Sequence, residues 1–163
     1  MLSPPNPPDE KARLAILKVL NILDTQPSPE LDACTNEASE FFDVPIALIS
    51  LVDESRQWFK SCIGLSATET ERNISFCGHA ILNDEIFFIQ DAASDVRFYD
   101  NPLVTGPPHI RFYAGAPLTV LSHRIGTLCI IDSKPRSFSR AEFNRLRLIA
   151  NKIEEIIASQ SHL

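Results

Sequence analysis

The sequence predicts an α+β domain with an antiparallel sheet. Amphipathic helical stripes lie at both ends of the chain, and segments rich in branched and alternating residues lie between them, arranged as two hairpins. No internal repeat interrupts this order.

Residues 1–8 hold four prolines and read as a flexible extended tail ahead of a single domain over residues 9–160. Asp9 opens a helix expected to run to about Asp24, with Ile16, Val19, Leu20 and Leu23 at i, i+3, i+4 and i+7. Pro27 stops the pattern. Ser28 followed by Pro29 is an N-cap with proline at the first helical position, and Leu31, Cys34, Ala38, Phe41 and Phe42 mark the buried face of a second helix. Val44 to Val52 is almost continuously apolar, as a strand covered on both faces is. A polar turn at 53–56 leads to a returning strand, Gln57 to Cys62. Gly64 to Asn73 is polar enough for a loop, Phe76 to Leu82 suits a short helix, and Ile86 to Gln90 a short strand. Residues 91–109, with Gly106, Pro102, Pro107 and Pro108, suit a long irregular connection.

From Ile110 to Val120 the pattern alternates, with Phe112, Ala114, Ala116 and Leu118 on one side and Arg111, Tyr113 and Thr119 on the other. Gly115 shares the second side, where a bulge or a close approach is expected. A turn over Leu121 to Arg124 joins this strand to Ile125–Ile131. Ser139 with Glu142 forms a capping box, opening a last helix striped by Leu146, Ile149, Ala150, Ile153, Ile156 and Ile157.

The 163 residues suffice for one domain. Fifteen Lys and Arg stand against 21 Asp and Glu, a net charge of −6 that opposes a phosphate-gripping or anionic-membrane role. No apolar run approaches the roughly 20 residues of a membrane helix, and the N-terminal residues lack the basic-then-apolar order of a signal peptide. A cytoplasmic location with no nucleic-acid or membrane partner is expected. Cys34, Cys62, Cys77 and Cys129 form no CxxC pair, so free thiols are expected rather than a zinc site or disulfides.

Four segments in order, VPIALISLVDESRQWFKSCIGL, SFCGHAIL, DAASDVRFYDNPLVTGPPHIRFYAGAPL and IGTLCIIDSKPRSFS, resemble GAF domains of bacterial signalling proteins. The nearest subgroup is often joined to histidine kinase or diguanylate cyclase modules. The resemblance covers nearly the whole chain. It implies a central antiparallel sheet of about five or six strands, terminal helices packed on one face, and a ligand-sized pocket under loops on the other. It names no ligand and no cofactor. What it implies is a sensory or regulatory domain in signal transduction that takes a small-molecule or redox input and passes it on through its terminal helices. A kinase or cyclase output module is a possible partner.

The pocket is expected among Trp58, Phe76, Cys77, His79, Arg97, Arg111 and Tyr113, which mix apolar walls with a few polar groups. Cys77 and His79 are two positions apart on a helix, so their side chains should diverge rather than form a catalytic dyad. Free methionine-(R)-sulfoxide reductases resemble GAF domains and carry a catalytic cysteine shortly after a His-Ile pair. Here His109-Ile110 is followed by Arg111 and Phe112, and that activity is not expected. Bilin-binding GAF domains of phytochrome-like photoreceptors usually attach the pigment through a cysteine directly followed by His, whereas Cys77 is followed by Gly78; a haem on His79 or His109 would need only one proximal ligand. Asp53, Asp91, Asp95 and Asp132 stand at strand ends, where Asp caps backbone amides. No nucleotide-binding or nucleophile-elbow motif is present, and the chain is expected not to be an enzyme. The alternatives are a small enzyme with Cys77 as nucleophile and a purely structural dimerisation module. A homodimer through the terminal helices is expected, with Leu14, Leu17 and Leu148 left exposed in a monomer.

Overall fold

A computed structural model describes residues 1–161. Two helices, α1 (Glu10–Leu20) and α2 (Pro29–Phe42), precede a hairpin of β1 (Ile46–Val52) and β2 (Arg56–Ile63). The chain continues through β3 (Glu69–Glu71), the single helical turn α3 (Cys77–Ala80), β4 (Phe87–Ile89) and α4 (Pro102–Thr105). A second hairpin, β5 (Phe112–Val120) and β6 (His123–Asp132), leads to the long helix α5 (Arg140–Gln160). The six strands form one sheet in the order β3-β2-β1-β6-β5-β4, and every pair is antiparallel. The two most apolar strands, β1 and β6, lie at its centre, as expected of segments that could not face water at an edge.

Helices α1, α2 and α5 cover one face of the sheet. Leu17, Leu31, Ala38, Leu146, Ile149 and Ile153 pack there against Ile49, Leu51, Phe112, Leu118, Leu128 and Ile130. The opposite face carries a second cluster under the loops, built around Phe76, Phe98, Ile110, Tyr113 and Cys129. The capping box at Ser139 forms with both of its hydrogen bonds, and Ser28 caps α2 ahead of Pro29.

Several expectations are corrected. α1 ends at Leu20 rather than Asp24, because Asn21 turns left-handed (φ 50°) and donates its amide back to Lys18. Leu17 is buried rather than exposed, and Val19 is exposed rather than part of the buried stripe. Leu14 is half-buried and only Leu148 stands out as expected. The stripe was displaced because Arg13, at 0% exposure, shares the buried face: it donates to the Val52 carbonyl (2.6 Å) and pairs with Glu10 (2.5 Å). Glu10 also receives Arg72, which ties the start of α1 to the chain after β3. The polar stretch 64–73 is not all loop, since Glu69–Glu71 pairs with β2 as an edge strand. The 91–109 connection contains α4, capped by the Asn101 side chain. Residues 1–8 have no regular helix or strand, but Leu2 donates its amide to the Arg97 carbonyl.

In β2 the pairing jumps from Ile49–Ser61 to Ser50–Phe59, leaving Lys60 as an extra residue. The bulge lets Lys60 reach Thr25 and the Gln26 carbonyl, while Ser61 donates to Asp32 and accepts from Thr35. It thereby fixes which side chains of β2 face the loops.

Candidate functional site

On the loop side of the sheet lies a cavity of about 260 Å³. Its floor is Leu48 of β1, Gln57 and Phe59 of β2, Tyr113 of β5, and Cys129 and Ile131 of β6. Phe76 and Cys77 close one side, Leu65, Ser66, Ala67 and Thr70 another, and Leu103, Pro107, Pro108 and Ile110 cover it. The period of two along each strand sends these residues to the loops and their neighbours to the helices. No Lys, Arg, His, Asp or Glu lines it.

The buried polar side chains of the wall are paired. Gln57 accepts from Ser50 (3.0 Å) and donates to Thr70 (2.6 Å). The Cys77 sulfur receives the Thr127 hydroxyl at 3.1 Å and lies 3.2 Å from the Tyr113 Oη. Cys129 Sγ is 4.0 Å away from it. Burial alone would push the Cys77 thiol up, but the hydrogen bonds that Cys129, Thr127 and Tyr113 offer its sulfur reverse this and bring it below the ordinary cysteine value. Cys129 moves well up, as the thiol that keeps its proton beside Cys77 and is itself buried. Burial also raises Tyr113 well above a free phenol, so it remains a neutral donor.

Gly115 makes room for this arrangement. A Cβ on it would stand 2.3 Å from Tyr113 Oη, so the tyrosine can fold over the strand only because residue 115 has no side chain. This is the close approach expected on that face.

Of the seven residues singled out in the sequence, Phe76, Cys77 and Tyr113 line the cavity. Trp58 packs in the helix-side cluster, opposite Leu51, because it alternates with Gln57 and Phe59. His79 points away from Cys77, as its helical spacing requires: its Nε2 meets the Leu2 carbonyl at 3.1 Å and its ring lies edge-on to Phe98. Burial lowers its pKa, so it is neutral at pH 7. Arg97 pairs with Asp95 at 2.7 Å and lies over the Phe87 and Phe98 rings. Arg111 donates to the Val104 and Ile110 carbonyls and so holds the covering loop together. Asp91 caps the Ala93 amide and Asp95 the Arg97 amide, in the structural role expected of them. All four cysteines are free thiols, and among the described residues no cluster of three His, Cys, Asp or Glu is placed to hold a metal ion.

Sequence reasoning missed Gln57, Phe59, Ile110, Thr127, Cys129 and Ile131. Alternation along β6 separates Thr127, Cys129 and Ile131 from Leu128 and Ile130. Both sets are apolar enough to be core, so the pattern does not say which side holds the cavity.

The GAF domain model matches residues 27–157. A curated protein of Pseudomonas aeruginosa, named a cyclic di-GMP phosphodiesterase, is 46% identical over 137 residues, which cover 83% of this chain and 23% of that protein. The chain thus spans about a quarter of the length of this relative. Among solved structures, the GAF domain of an Acinetobacter phosphoenolpyruvate-protein phosphotransferase aligns with a TM-score of 0.69 at 20% identity, covering 96% of both chains. A free methionine-R-sulfoxide reductase of Neisseria meningitidis, solved with its substrate, aligns with a TM-score of 0.65 at 17% identity over 100% of both. These matches correct the expectation that the chain is not an enzyme: the curated relative is named as an enzyme, and an enzyme of this fold superimposes along the whole chain. No described helix is long and apolar enough to cross a membrane.

Proposed function

Since the chain belongs to the GAF domain family, we propose that it is a sensory module whose loop-side cavity takes a small, neutral, largely apolar molecule and whose occupancy regulates a cyclic di-GMP-degrading activity. The observation that carries this reading is the cavity itself. At about 260 Å³ it lies just under the ~300 Å³ at which pockets for drug-sized ligands begin. Its walls are apolar, with thiol, hydroxyl and amide groups and no charge to meet an anion. A cyclic dinucleotide, with two charged phosphodiesters, does not suit it. Cyclic di-GMP therefore enters as the substrate of the regulated enzyme, by likeness to the Pseudomonas relative, and not as the ligand of this cavity.

The signal would leave through α1 and α5, which pack on β5 and β6 behind the cavity. A ligand that prefers one packing of these helices shifts the population toward it. A homodimer through the same helices supplies a second surface to read the change, and Val19 and Leu148, about 60% exposed, are its candidate contacts. Four free thiols accord with a cytoplasmic location.

The test is a titration of the labelled protein with indole and with indole-3-carboxylate, followed by amide chemical shifts. Shifts centred on Cys77, Tyr113 and Cys129 for the neutral compound, absent for the acid and lost in Leu103→Trp, are expected. Equal or tighter binding of the acid would reject the reading. Sedimentation at micromolar concentration checks the dimer, and a strictly monomeric species would remove it.

A further inference from the structure

Two thiols lie together in the cavity wall, and the sensing of a reversible ligand leaves their reactivity unused. Cys77 is 2% exposed and Cys129 0%, and their sulfurs stand 4.0 Å apart. Cys34 belongs to α2 and packs in the cluster on the opposite face of the sheet, and Cys62 donates its thiol to the Leu65 carbonyl at the cavity edge. We propose that Cys77 and Cys129 are a dithiol–disulfide couple, oxidised by a small neutral hydroperoxide that enters the cavity.

The chemistry balances within the named groups. The Cys77 sulfur attacks one oxygen of the peroxide; the O–O bond breaks, and the departing oxygen takes up the thiol proton and leaves as an alcohol. Cys77 becomes a sulfenic acid, oxidised by two electrons. The Cys129 sulfur then attacks the Cys77 sulfur, the S–S bond forms, the S–O bond breaks, and the hydroxide leaves as water with the Cys129 proton. One hydroperoxide and two thiols give one alcohol, one water and one disulfide. A dithiol reductant reverses the change.

Three features of the wall favour this use. The Thr127 and Tyr113 hydroxyls at the Cys77 sulfur steady its negative form and stand where the departing oxygen needs a donor. The uncharged lining admits a neutral organic peroxide and disfavours charged reagents. The resolving thiol is already a neighbour. Closure to a bonded separation of about 2 Å needs an approach of about 2 Å, and Cys77 is carried on a single four-residue turn, α3, rather than on the sheet. Oxidation would draw α3 onto β6, the strand against which α1 packs from the other side.

The experiment exposes the intact protein to tert-butyl hydroperoxide, alkylates it under denaturing conditions and maps the peptides. Loss of two of the four thiols, a Cys77–Cys129 cross-link and its reversal by dithiothreitol are expected. Cys129→Ser should stop at a sulfenic acid on Cys77, trapped by dimedone, and Cys77→Ser should leave Cys129 reduced. Four thiols surviving, a cross-link through Cys34 or Cys62, or undiminished thiol loss in Cys77→Ser would overturn the proposal. The indole titration is run on fully reduced protein, so failure of the couple leaves the cavity reading intact, and failure of the titration leaves the couple to stand on its own.

Discussion

The two faces of the sheet use the same strands differently. Toward the helices, Leu118, Ile125, Leu128 and Ile130 are fully buried and interlock with Leu146, Ile149 and Ile153 of α5. Toward the loops, Leu48, Tyr113, Cys129 and Ile131 are equally dry but border a void of about 260 Å³. The difference lies in what covers each face. A helix brings a continuous apolar stripe that closes on the sheet, whereas the loops of the other side, held by Arg111 on the Val104 and Ile110 carbonyls, arch over it. Burial alone does not distinguish a core from a binding site; the space left between the buried groups does.

The largest expected effect follows directly. Leu118→Ala opens a hole in the closed face and should lower stability by about 3 kcal/mol, whereas Ile131→Ala on the cavity wall should lose about half of that, since fewer atoms pack against it. Urea denaturation midpoints of the two variants test the contrast, and equal losses would mean that the void closes in solution.

Next comes Gly115→Ala, where the new methyl group displaces the Tyr113 ring. It should cost about 1–3 kcal/mol, and less in a Tyr113→Ala background, so a double-mutant cycle should return a clear coupling. No coupling would place the tyrosine elsewhere.

The smallest effect concerns the edge where the two faces are tied. Burial of Glu10 would raise its carboxyl, but Arg72 and Arg13 outweigh it and hold it down at about 2. The stabilisation is therefore present above the ordinary carboxylate value of 4.5 and fades as pH falls toward 2. Glu10→Gln should be less stable than the parent at pH 6, with the gap narrowing by pH 3. A constant gap would show that the ion pairs contribute nothing to it.

The fold was largely legible in the chain. Both hairpins, the capping box and the central place of β1 and β6 follow from alternation, branched residues and cap chemistry. The cavity was legible only in part. Phe76, Cys77 and Tyr113 could be picked out, but Trp58 could not be assigned a face, because strand alternation says which residues share a side and not which side is hollow. The Lys60 bulge adds to this, since it reverses the count along β2 with no glycine to announce it. Buried Arg13 misled the reading of α1 for a related reason. A charge is normally placed outward, and the partners that allow it inside, Glu10, the Val52 carbonyl and through Glu10 Arg72, come from three separate parts of the chain.

The alternation of β6 has a bearing on how such a domain can diversify. Thr127, Cys129 and Ile131 turn to the hollow side, and Leu128 and Ile130 to the packed one. Cys129 and Ile131 border the cavity, so substitutions there can change what the molecule recognises at a smaller structural cost than on the packed side. Substitutions at the second set meet α1 and α5. A lineage built on this strand can therefore drift in chemistry while its helical readout stays fixed, because specificity and transmission are written on alternate residues.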